Sequence, residues 1–160
     1  MQPEHWKIRV QADEFLKAYH VLKNSDHSTT LMVATPGVVC LAFAVELYLK
    51  ELHVIATGKS PRGHNIYKLF AALPSDVRQA VFAHKSISDN PFMMRGDIFN
   101  VGFHSQTYTA YDRFTDQMKE ISDGFEKWRY SYEVQTLTYQ SSFALALITA
   151  VASTSDSKRI

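Results

Sequence analysis

From Val38 to Ile55 the chain is apolar on nearly every side. Val38, Val39, Leu41, Phe43, Val45, Leu47, Leu49, Leu52, Val54 and Ile55 surround Glu46, Lys50 and His53. A helix apolar all round is the central one of its domain, and ionisable groups on it need partners or water. Thr35 is a candidate N-cap with Pro36 at the first helical position, and Gly58, followed by Pro61, closes the helix. Before it, Phe15, Tyr19 and Leu22 recur at helical spacing and predict a helix from Ala12 to about Asn24. After it comes a short helix, about Asn65 to Ala72, stopped by Pro74. Another is capped by Ser75, has Asp76 in its first turn and extends to about Lys85.

Residues Ser86 to Gln106 read as a long loop that holds a short helical turn. Tyr111, Phe114, Met118, Ile121, Phe125 and Trp128 then fall at intervals of three and four, the stripe of one buried helical face. Arg129 to Gln135 is ambiguous between continuation and break, and Leu137 to Tyr139 is the one weak strand-like alternation. A last apolar helix, about Gln140 to Ala152, carries Phe143, Leu147 and Val151. These elements predict an all-α domain, four-helix-bundle-like, with one or two additional short helices. It covers residues 1–160, with loose ends at 1–10 and 153–160.

Composition narrows the classes. A chain of 160 residues with 46% hydrophobic content can bury a core as one domain. Its 17 basic and 16 acidic residues leave a formal charge of +1, which argues against a broad duplex-DNA surface and allows only local patches. The single Cys40 makes no disulfide framework and suits a reducing cytosol. Met1 to Val10 lacks the apolar core of a secretory signal, and no apolar run is long enough to span a bilayer, so a cytoplasmic protein without membrane contact is expected.

Three groups of residues are candidates for chemistry. Glu46 and Lys50 are four apart with the acid toward the N-terminus, the favoured order for an ion pair, and His53 lies two turns beyond Glu46 on the same face. With His64 they could form a polar pocket. Lys59, Arg62, His64 and Lys68 are the densest basic stretch, and the helix start there offers backbone N–H groups to a phosphate. Ser60-Pro61-Arg62-Gly63 is not a Walker loop. Trp128-Arg129-Tyr130-Ser131-Tyr132-Glu133 sets an arginine among aromatics, where it could stack, hold an unstacked base or pair with Glu46. For each group a purely structural network is the competing interpretation. The seven histidines form no H-E-x-x-H and no Glu-x-x-His pair, so no metal or cofactor is expected. Cys40 reads as a small core residue.

Taken together, Ala44-Val-Glu-Leu-Tyr-Leu-Lys50, Gly58, His64-Asn-Ile-Tyr-Lys-Leu69 and Trp128-Arg-Tyr-Ser-Tyr-Glu133 resemble the HEPN superfamily of small helical domains, over roughly residues 12 to 150. The resemblance implies a helical bundle that often dimerises, with roles in RNA cleavage, toxin-antitoxin pairs, phage defence or nucleotide binding. For this chain it implies a binding or regulatory module for RNA, nucleotide or a partner protein. The ligand residues would be Glu46, Lys50, His53, His64, Arg129 and Tyr130. In the catalytic branch, an Arg followed by four to six residues and a His cleaves RNA without metal, the His acting as base and the Arg stabilising the phosphorane. Arg78 and His84 have that spacing, whereas Arg95 and His104 are further apart and would need the intervening loop to bring them together. On one continuous helix Arg78 and His84 would point about 240° apart. An adaptor whose dimer surface is its whole function is the third alternative.

Overall fold

The apolar segment forms the longest helix among the described residues. The computed structural model describes residues 4–25, 34–94, 108–122 and 140–159, which form eight helices and no strand. They are α1 (His5–Lys23), α2 (Ala34–Thr57), α3 (Ile66–Ala71), α4 (Ser75–Phe82), α5 (Lys85–Ser88), α6 (Pro91–Met94), α7 (Ala110–Ile121) and α8 (Ser141–Lys158). The expected all-α class is the observed one. Among the described residues no helix is long and apolar enough to cross a membrane.

α2 is sandwiched between α1 and α8, and α3 packs between α2 and α7. Leu41, Ala44, Val45, Leu49 and Leu52 of α2 are fully buried by these neighbours, which is why the helix tolerates apolar residues all round. α7 shows one buried face, Phe114, Met118 and Ile121. Phe114 is the hub of an aromatic cluster, with ring centroids 5.2 Å from Phe70, 5.4 Å from Phe82 and 5.8 Å from Phe143. One side chain thereby ties α3, α4, α7 and α8 together through edge-to-face contacts. α7 begins with a capping box: Thr109 accepts from the Asp112 N–H, and the Asp112 carboxylate accepts from the Thr109 hydroxyl and backbone. Those bonds hold the Asp112 carboxyl below its usual range.

Several boundaries differ from expectation. α1 begins at His5 and α8 runs to Lys158, so residues expected in loose ends are helical. Long-range contacts outweigh fraying there: Ile8 packs on the core, Thr154 and Ser155 are buried, and Arg9 and Arg159 both reach Glu51. α2 already includes Ala34, so Thr35 is not its N-cap; Pro36 sits in the first turn, where a missing N–H breaks no helical bond. α4 starts after Pro74 and stops at Phe82, and the expected loop contains α5 and α6. Residues 95–107 of that loop, the stripe beyond Ile121, the ambiguous 129–135 and the weak alternation at 137–139 lie outside the described residues.

Candidate functional site

Gly58 ends α2 with φ +69, its N–H donating to the Val54 carbonyl at 2.8 Å, a closure only glycine makes without strain. Glu46 lies twelve residues back, about 18 Å along the helix. Even so, His64 meets it, because residues 59–64 take no helical turn and run back along α2. Six residues of extended chain span about 20 Å, just enough. Gly63, at φ +95, then turns the chain into Asn65, whose side chain accepts the Lys68 N–H at 2.9 Å and caps α3.

The result is a carboxylate shared by a lysine ammonium and a histidine imidazole. Glu46 is 1% exposed. Lys50 Nζ stands 2.7 Å from its Oε1, and His64 Nδ1 stands 2.9 Å from Oε1 and 3.1 Å from Oε2. A carboxylate only accepts, so Nδ1 carries the proton that it donates. The buried acid thus orients an imidazole whose side chain is 55% exposed, beside an ammonium 17% exposed. Three of the four groups expected to converge do so. The fourth, Arg129, lies outside the described residues with Tyr130, Arg95 and His104.

No family model, curated protein or solved structure matches the chain. The site must therefore be interpreted from its own chemistry.

His53, expected on the same face, faces a different partner. It is 5% exposed and its Nε2 donates to the Leu69 carbonyl at 2.7 Å, bonding α2 to α3. The helix-start cradle for a phosphate is also filled from within. The Ile66 N–H donates to the Ser122 carbonyl at 3.4 Å, the Tyr67 N–H to Ser122 Oγ at 2.9 Å, and the Lys68 N–H to Asn65. An anion at this turn would meet side chains, and these are basic. Lys59, Arg62 and Lys68 are exposed, and the run from Lys59 to Lys68 contains no acid.

Arg78 and His84 are not on one helix. Arg78 is half-buried on α4, whereas His84 follows the end of α4 and caps α5, its Nδ1 accepting the Ser86 N–H at 3.2 Å. That bond gives His84 a structural role. Half-burial raises the Cys40 thiol above its ordinary range, which suits an unreactive packing residue. Among the described residues no three His, Cys, Asp or Glu side chains gather to hold a metal.

Sequence reasoning missed a second polar cluster. Glu51 is wholly buried; Arg9 Nη1 donates to its Oε2 at 3.1 Å and Arg159 donates to its Oε1. Arg9 also reaches Asp13 at 3.3 Å and Asp156 at 3.4 Å, and stands 5.0 Å over the Tyr48 ring. Burial, reinforced by a hydrogen bond to Asp13, pushes the Tyr48 hydroxyl well up, so it stays a donor. The available signal was a second glutamate in an apolar helix, about 140° round from Glu46.

Proposed function

We propose that the protein is a cytosolic, HEPN-like binding module for a phosphate-bearing ligand, RNA first and free nucleotide second, acting without turnover. The observation that carries the reading is the buried Glu46 holding Lys50 and the half-exposed His64 at the foot of an acid-free basic strand of chain. A buried carboxylate fixes the geometry of two N–H donors at the surface, and Lys59, Arg62 and Lys68 supply the field that draws in a polyanion. The resemblance of these segments to HEPN domains supports the same site and a regulatory role, in a toxin-antitoxin or phage-defence setting. Arg129 and Tyr130 complete the proposed ligand set, and Tyr130 would stack on a base.

Fluorescence anisotropy with a labelled single-stranded RNA tests this. The expected result is salt-dependent binding that Lys59→Ala, Arg62→Ala and Lys68→Ala each weaken, the salt slope falling by about 0.7 for each phosphate contact removed. His64→Ala should weaken binding without changing that slope, and the RNA should remain intact. Absence of binding to RNA and nucleotide at about 100 µM protein, a weak affinity by any standard, would refute the reading. Metal-independent cleavage leaving a cyclic phosphate, lost in His84→Ala or His104→Ala, would replace it with the endoribonuclease.

A further inference from the structure

A cavity of about 430 Å³ lies between the end of α4, the one-turn helices α5 and α6, and the start of α7. Phe82, Ile87, Met93 and Met94 give it walls of carbon and sulfur, with Tyr108 and Arg113 on the α7 side. Met94 and Tyr108, 63% and 46% exposed, face both the cavity and the solvent. One-turn helices carry too few side chains to close such a space, and polar bonds hold its walls apart. The buried Asn90, between α5 and α6, donates to the Ser142 carbonyl at 3.0 Å, and Ser86 of α5 donates to the Ala146 carbonyl at 2.8 Å, so α8 anchors both short helices. Arg113 donates to the Met93 carbonyl and ties α6 to α7. The cavity is therefore formed before any ligand arrives, as small-molecule sites usually are.

We infer that this cavity binds an uncharged aromatic molecule of roughly two or three rings, since about 150 Å³ of apolar space takes one benzene-sized ring. Rings already gather at its wall. Phe82 meets Tyr111 at 5.2 Å and Phe114 at 5.4 Å, both edge to face. A ligand ring set against Phe82 would extend that cluster, with the thioethers of Met93 and Met94 beside it. The polar side chains of the wall, by contrast, are committed within the protein. Ser88 donates to the Lys85 carbonyl at 3.1 Å and the Tyr108 hydroxyl to Asp116 at 2.8 Å, while Arg113 holds the Met93 carbonyl and stands 5.8 Å over the Tyr108 ring. A polar ligand would give up water for few new bonds. Charge of either sign is disfavoured as well. Arg113 in the wall opposes a cation, and the carboxylates of Asp89, Asp112 and Asp116, adjoining Ser88, Arg113 and Tyr108, outnumber it against an anion.

The cavity shares no residue with the proposed ligand site, so either inference can fail without the other. Two fluorescent dyes test it: N-phenylnaphthylamine, which is uncharged, and anilinonaphthalene sulfonate, which adds a sulfonate to the same ring frame. The full chain is titrated into each dye from about 1 to about 200 µM. The uncharged dye should bind once per chain, with a dissociation constant on the order of 10 µM, and the sulfonate at least about fivefold more weakly. Ala83→Trp places a large ring at an exposed wall position, and Met94→Glu places a charge on the wall. Each, with wild-type helix content by circular dichroism, should weaken the uncharged dye about tenfold or more. Val21→Glu, at an exposed hydrophobic position on α1 away from the cavity, should leave its affinity unchanged. Absence of saturable binding, equal affinity for the sulfonate, unchanged affinity in either folded wall variant, or a loss in Val21→Glu would overturn the proposal.

Discussion

At the scale of the residue, His53 and His64 show how neighbouring imidazoles on one helix-turn unit take opposite roles. His64 is oriented by a buried acid and remains half in water; His53 is sealed in the α2–α3 contact, bonded to a backbone carbonyl. Replacing His53 by Leu keeps the volume apolar but leaves the Leu69 carbonyl buried without that donor. We expect a loss of about 1–3 kcal/mol in urea unfolding, with RNA affinity unchanged. An unchanged midpoint would mean that water replaces the bond. Periodicity alone could not separate these two histidines, because a helical wheel gives the face of a residue and not the atom that comes to meet it.

At the scale of the element, the reversal after α2 governs the site. Gly58 must hold φ +69 so that residues 59–64 double back and present His64 to Glu46. A Cβ at Gly58 would meet nothing within 4 Å, so its cost is one of backbone alone. Gly58→Ala should destabilise the fold by about 1 kcal/mol in thermal or urea unfolding. Gly58→Asn should cost less, because Asn tolerates the left-handed region; equal losses would point to a steric cause instead. The glycine, the following proline and the Asn65 cap were legible in the chain as punctuation. The consumption of the α3 N–H groups by Ser122 was not, since that residue lies more than fifty positions away and acts only once α7 has docked.

At the scale of the whole molecule, Glu51 locks both ends of the chain to the central helix. Arg9 comes from the first helix and Arg159 from beyond the last, and each takes one carboxylate oxygen. Removing a buried partner leaves cations facing an emptied apolar site. Glu51→Ala should therefore cost about 3 kcal/mol by urea unfolding, whereas Asp156→Ala, at a carboxylate 55% exposed, should cost less than about 1 kcal/mol. Similar losses at the two positions would mean that the clamp holds through Asp156 rather than Glu51. This clamp explains why α1 and α8 run past the boundaries that hydrophobic spacing suggests: a polar contact between sequence-distant ends stabilises turns that have little local reason to form.

Helical class, the burial of α2, the stripe of α7 and the pairing of Glu46 with Lys50 follow from short-range spacing, because a helix repeats every few residues and writes its buried face directly into the chain. Which carboxylate His64 would find, that His53 would be spent on a backbone carbonyl, that the α3 amides would be filled by Ser122 and that Glu51 would gather two arginines all depended on how the helices pack. Those partners are brought together across long stretches of chain, and no local pattern encodes the distance between them.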